Sequence, residues 1–152
     1  MLVFLDFDGV LRRAGRDLYR LESPLVARFE TTLRRLPTAD VVISSTWREA
    51  FPLDDLRRHF APDVRHRIVG ATPTILVHGD HRRYREVLAC LKRSGHGTRS
   101  WVAIDDQEEH FPARENVLIV DSAVGFDDDA AAWLLELGRR YGATERTGAR
   151  RP

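Results

Sequence analysis

Two carboxylates one residue apart, Asp6 and Asp8, close the opening run Met1-Leu-Val-Phe-Leu-Asp-Phe-Asp-Gly-Val-Leu11. Side chains alternate along a strand, so Asp6 and Asp8 point to one side at its end while Phe7 points away. Gly9 follows and lacks the β-carbon that clashes in left-handed backbone, which lets the chain turn sharply there. Asp105 and Asp106 end a later apolar run, Trp101-Val-Ala-Ile104, and the hydroxyl of Ser44 ends another, Ala39-Asp-Val-Val-Ile43. Like charges about 4 Å apart repel by roughly 1 kcal/mol in water and about 4 kcal/mol near a protein surface, so carboxylates gathered in one place need a cation. An isolated Asp-x-Asp more often solvates a strand end or caps a turn. Chemistry-bearing residues at three separate strand ends favour the first reading.

The elements that must position these residues alternate along the chain. Residues 10–22 are polar and arginine-rich and read as a loop or short hairpin. Ser23-Pro24 has the form of a helix start, with serine as the cap and proline at the first helical position. Leu25, Val26, Phe29, Leu33 and Leu36 then recur at helical spacing up to Pro37. After the strand 39–43, Thr46 and Glu49 have capping-box spacing, which predicts a helix directly behind Ser44. A helix start beside a strand-end hydroxyl is a natural anion site, with Thr46 capping and Ser44 facing the ligand. Pro52 interrupts that helix, and 53–60 reads as a further turn or two.

Arg67-Ile-Val-Gly70 is a short third strand, followed by a connection over 71–79. His78 and His81 lack a third donor and are not read as a metal site. A helix from Asp80 to about Ser94 buries Tyr84, Val87, Leu88 and Leu91. Arg82, Arg83 and Arg85 lie in its first turns, where the dipole disfavours cations. That hints that one arginine serves an anion. Strands over 101–104 and 116–120 and a helix from Asp127 to Tyr141 complete the domain, taken as residues 1–141. Residues 142–152 read as a frayed basic tail. Strands alternating with helices predict an α/β, Rossmann-like parallel sheet of about five strands, with ligands at the strands' carboxyl ends.

Composition narrows the class further. The chain has 152 residues, 43% apolar and 31% charged, which fits one soluble domain with a substantial core. Its formal net charge of +1 gives no general electrostatic case for nucleic acid or membrane binding. Lys92 is the single lysine among 24 basic residues, a bias assigned to genome composition. Cys90 stands alone and excludes an internal disulfide. No apolar run approaches the roughly 20 residues of a membrane span, and the opening run is too short for a signal peptide. A cytoplasmic location is the expectation.

With these residues in view, the chain resembles the haloacid dehalogenase-like (HAD-like) phosphohydrolase superfamily. The matches are Asp6-Phe-Asp-Gly-Val10, a hydrophobic strand ending in Ser44, a basic residue before the last motif, and Ile104-Asp-Asp106. Val42-Ile-Ser-Ser-Thr-Trp-Arg48, Thr72-Pro73 and Arg83-x-x-Glu-Val87 add a likeness to the small HAD domain of Swiss army knife RNA repair proteins. The resemblance implies a Mg²⁺-dependent phosphatase acting through an aspartyl-phosphate. Asp6 would be the nucleophile, Asp8 the acid and base, and Ser44 and Arg83 would contact the phosphoryl group. Arg82 is the alternative to Arg83, standing where the superfamily usually has lysine. Asp6, the Asp8 carbonyl and Asp105 would hold the metal, with Asp106 as an outer or alternate ligand. Gly9, Ser45 and Arg48 complete the candidate substrate-binding set. Trp47 reads equally as a substrate contact and as packing.

Related enzymes often carry an inserted cap domain, for which this chain has little room. An open site suits a macromolecular end, such as a terminal phosphate of RNA or DNA, and also admits nucleotides and sugar phosphates. A non-catalytic regulatory domain and a nucleic-acid-binding module are the rivals from other classes.

Overall fold

A computed structural model describes residues 1–76 and 79–144. Its strands are β1 (Leu2–Leu5), β2 (Asp40–Ile43), β3 (Ile68–Ala71), β4 (Trp101–Asp105) and β5 (Val117–Ile119). They form one wholly parallel sheet in the order β3-β2-β1-β4-β5. The order reverses between β1 and β4, so their carboxyl ends flank the crevice where such sheets bind ligands. This is the Rossmann-like α/β architecture that the alternating pattern predicts.

The helices are α1 (Ser23–Arg34), α2 (Trp47–Ala50), α3 (Leu53–Arg57), α4 (Pro62–Arg65), α5 (Arg82–Arg93) and α6 (Asp128–Arg140). Period-two alternation sorts the strands' side chains between two cores. Val3, Leu5, Val41, Ile43, Val102 and Ile104 join Phe29 and Leu33 of α1 and Leu134 and Leu137 of α6. Leu2, Phe4, Val42 and Ala103 face Val87 and Leu91 of α5. Continuing the alternation carries Asp6, after Leu2 and Phe4, and Asp105, after Ala103, onto the α5 side. The acidic pair is therefore aimed at α5 before any side-chain contact is considered.

Several local expectations are corrected. Ser23 is the first residue of α1 and not its cap; Glu22 holds the cap position and makes no side-chain cap hydrogen bond. The Glu22 carboxylate is drawn off by Arg13, accepting from its backbone N at 2.8 Å and from NH2 at 2.6 Å. The Thr46–Glu49 capping box is not made either, because Thr46 has right-handed helical backbone angles and its hydroxyl caps nothing. Helix α2 is a single turn, so it has little dipole to offer an anion.

Helix α5 starts at Arg82, after His81 in left-handed backbone with φ 58°. Leu88, expected in the core, is exposed, and Arg83 and Glu86 take buried places on that helix instead. The apolar end of α5 covers the sheet, and its first turns carry charge to the strand ends. At the other end of the chain the packed body runs beyond Tyr141. Ala143 is fully buried, and its backbone N donates to Gly138 O at 2.7 Å while its carbonyl accepts from Thr38 N at 3.3 Å. Val77, His78 and the basic stretch 145–152 lie outside the described residues.

Residues 6–22 and the connection between β3 and α5 hold no helix or strand among the described residues beyond an isolated bridge between Asp8 and Arg12. No inserted cap covers the strand ends there. Among the described residues no helix is long and apolar enough to cross a membrane.

Phe29 ties the α1–α6 side together, meeting Phe126 edge-on at 5.4 Å and Phe60 at 6.3 Å between ring centroids. Phe29→Ala should lower the unfolding free energy by about 3–5 kcal/mol, read as a shift in the urea midpoint at unchanged slope.

Candidate active site

Asp6 leaves the end of β1 almost fully buried, and its backbone N donates to Ile104 O at 3.0 Å, tying it to β4. Its Oδ1 accepts from Phe7 N at 2.8 Å. Asp105 ends β4 with no exposed surface, and Asp106 follows it. Asp6, Asp105 and Asp106 each offer a carboxylate oxygen, and these oxygens all lie within 4.8 Å of one another. The separated acidic stretches therefore meet at one rim of the sheet.

Gly9 makes this approach possible. A β-carbon there would stand 2.2 Å from Asp106 Cγ, and the residue sits at φ 76°, where other residues are strained. The structural role of Gly9 is to admit Asp106.

The carboxylates are supported unequally. Asp105 Oδ1 accepts from Gln107 N at 2.9 Å and lies 3.1 Å from His110 Nδ1. Asp105 Oδ2 and Asp106 Oδ1 are buried and have no hydrogen-bond partner among the described residues. Burial, and after it the charge of Asp105, push the Asp6 carboxyl up to about 7. The same two causes raise Asp106, while the hydrogen bond to Asp105 raises His110. Three converging carboxyl groups, two of them with an unpartnered oxygen, are a donor set that fits a hard divalent cation.

The cationic side comes from α5. Arg83 is buried, with Nε 3.9 Å from Asp105 Oδ2 and NH1 donating to Glu86 Oε2 at 3.2 Å. Arg82 is more exposed and donates through Nε to Glu86 Oε1 at 3.1 Å and through NH2 to Glu49 Oε1 at 3.2 Å. Both arginines line a cavity of about 220 Å³ together with Asp6, Asp8, Thr46, Gln107 and His110.

Six expected site residues are not on the wall of this cavity: Gly9, Ser44, Ser45, Arg48, Asp105 and Asp106. Ser44 and Ser45 are buried, and the Ser45 hydroxyl accepts from Trp47 N at 3.3 Å. The wall hydroxyl is that of Thr46, one turn position further along. Arg48, expected to reach the substrate, points inward. Its NH1 donates to the carbonyls of Ser44 at 3.0 Å and Ser45 at 2.7 Å, and its NH2 stands 2.8 Å from Glu86 Oε2. That last contact is ionic without hydrogen-bond alignment, since NH2 counts as unpartnered by geometry.

Asp8 lines the cavity, but its carboxylate lies outside the three-oxygen cluster. Arg12 Nε donates to Oδ1 at 2.7 Å, and Trp47 Nε1 donates to both oxygens at 3.1 Å. Gln107, His110 and Arg12 were not singled out in the sequence, and Glu86 entered only through the resemblance of Arg83-x-x-Glu-Val87. None lies at a strand end, and no spacing rule ties them to the acidic pairs.

Buried carboxylates and a buried arginine meet at the switch point of a parallel, Rossmann-like α/β sheet, where such sheets bind ligands. The model of the family described as HAD domain in Swiss Army Knife RNA repair proteins matches residues 2–131. The chain belongs to that family. No curated protein and no solved structure matches it.

The raised Asp6 has a consequence for stability. In the cation-free protein Asp6 holds its proton more tightly folded than unfolded, so protonation favours the folded form. That contribution is complete below the ordinary carboxylate value of 3.8 and is lost as the pH rises through about 7. The thermal midpoint of the cation-free protein should fall between about pH 4 and pH 7, and a divalent cation should restore it more at pH 7 than at pH 4. Asp6→Asn should flatten both responses in calorimetry. Gly9→Ala, by displacing Asp106, should weaken the cation's stabilising effect by at least about tenfold in apparent affinity.

Proposed function

We propose that this domain hydrolyses phosphomonoesters through a phosphoryl group carried on Asp6. The observation that carries the reading is the meeting of Asp6, Asp105 and Asp106 beside the buried Arg83. Such a site suits a dianionic phosphoryl group, which needs cationic partners on its oxygens and a nucleophile in line with the leaving oxygen.

Asp6, Asp105 and Asp106, with the main-chain carbonyl of Asp8, would hold Mg²⁺. Bound there, the ion would offset the charge of carboxylates and phosphoryl oxygens together. Asp6 attacks phosphorus as the bond to the leaving oxygen breaks, and Asp8 gives that oxygen its proton. Asp8, now a carboxylate, then takes a proton from water. The water oxygen attacks phosphorus, the bond to Asp6 opens, and inorganic phosphate leaves. Arg83 and Thr46 hold phosphoryl oxygens during both steps, with Arg82 at the rim. Arginine suits this task because its planar fork can grip two oxygens at once.

The cavity of about 220 Å³ accommodates a phosphoryl group and leaves the bulk of the substrate outside. With no cap among the described residues, that supports a large substrate over one enclosed whole. The matched family is described by RNA repair proteins, and a terminal phosphate of a polynucleotide fits both observations.

Asp6→Asn should lower turnover by at least about 10³-fold while the circular dichroism spectrum stays native. Native-rate hydrolysis by that variant would show that Asp6 is not the nucleophile. In a panel of phosphorylated RNA and DNA ends, nucleotides, sugar phosphates and phosphopeptides, the polynucleotide ends should have the highest kcat/KM. Nucleotides turned over as well or better would assign the domain to small molecules.

A further inference from the structure

We propose that Trp47 is the positioning residue for Asp8, holding its carboxyl in place for proton transfer whichever oxygen carries the proton. The inference rests on the acid and base role given to Asp8 above.

Trp47 opens α2 directly behind the end of β2, and its side chain is buried. Its Nε1–H stands 3.1 Å from Asp8 Oδ1 and 3.1 Å from Oδ2, so the carboxyl is held symmetrically about its own axis. Among the described residues Asp8 has one other side-chain donor, Arg12 Nε, at 2.7 Å from Oδ1. The two donors differ in kind. A guanidinium favours the carboxylate and loses most of its hold when that group is protonated, whereas an indole N–H is neutral and bonds either form. Asp8 must pass through both states in each turnover. Trp47 is the contact that persists through the cycle.

The indole is itself fixed on several sides. Phe7 meets it at 5.3 Å, Tyr19 at 5.2 Å and His59 at 5.6 Å, all edge-on, and Phe51 lies at 6.3 Å. Tyr19 is informative because it has φ 55°, which non-glycine residues rarely adopt. This unfavourable backbone is kept where the ring packs against both Trp47 and Phe51, at 5.2 and 5.0 Å. The loop following Asp8 thus folds back to brace the residue that holds Asp8. Beyond packing, the indole supplies an N–H donor that phenylalanine lacks.

Leaving-group dependence separates positioning from packing. A nitrophenolate departs without a proton, whereas the alkoxide of glycerol phosphate needs one. The pair of substrates therefore reads the work of Asp8 directly. Trp47→Phe should lower kcat/KM, which reads only the steps up to phosphoryl transfer to Asp6 and not the water step both esters share, by roughly 10- to 100-fold on glycerol 2-phosphate and by no more than about threefold on p-nitrophenyl phosphate. In an Asp8→Asn background the same change should have no further effect on either substrate, since a residue acting through Asp8 has nothing left to position. Equal losses on both esters, or a loss that persists in the Asp8→Asn background, would overturn the proposal. If Trp47→Phe is unfolded at the assay temperature, Tyr19→Ala at the surface decides by the same ratio, and an unchanged ratio there overturns it. Wild-type protein inactive on both esters and on phosphorylated RNA and DNA ends would overturn the phosphatase reading and this proposal with it. Active wild type with unselective variants overturns the proposal alone.

Discussion

Electrostatic repulsion among carboxylates that the fold forces together is the constraint on which the rest of this structure turns. Asp6 and Asp105 sit on adjacent strands, both nearly without solvent, and Asp106 is brought against them through the space left by Gly9. In water such groups repel weakly, but removal from solvent multiplies the interaction and withdraws the hydration that would stabilise each charge. The protein responds partly by raising the affinity of Asp6 for its proton, and partly through the positive charge of Arg83 nearby. Two oxygens of the cluster are still left without partners among the described residues. The site is thus an unbalanced charge held by a well-packed frame, as a binding centre for a cation requires.

The frame supplies that packing through the sheet. Alternation along β1 and β4 sends hydrophobic side chains to two cores and delivers Asp6 and Asp105 on the face shared with α5. Because β1 is central, flanked by β2 and β4, its end cannot shift without breaking ladders on both sides. The acidic cluster is therefore positioned by the most constrained strand of the molecule.

Glu86 organises the charge on the opposite side. It has no exposed surface and is approached by Arg48, Arg82 and Arg83, and Ile75 N also donates to its Oε1 at 3.3 Å. Removing one partner of such a buried group strands the others, so these contacts stand or fall together. Arg48 extends the network to the carbonyls at the end of β2, joining α5 to the strand behind Thr46. An arginine that looks like a substrate contact in the sequence is in this way a strut. Arg83, from the same network, reaches toward Asp105 and the cavity.

Strand runs ending in Asp6, Asp8, Ser44 and Asp105 were legible because hydrophobic runs and strand-end polar residues are local patterns, and the sheet's rules place strand ends together. The α/β class and the convergence of the acidic pairs followed from those patterns alone. What remained hidden depends on which way a side chain turns once its element is packed. Thr46, whose spacing suggests a cap, caps nothing and lines the cavity, Arg48 faces inward, and Leu88 yields its buried place on α5 to Arg83 and Glu86. A capping box or a helical stripe is specified within a few residues, whereas these orientations are settled by partners on other elements: Glu86 for Arg48, Asp105 for Arg83 and His110, Asp8 for Trp47. Sequence spacing carries the periodicity of an element but not its rotation against a neighbour, and that rotation was decided by burying apolar area while leaving no charge alone.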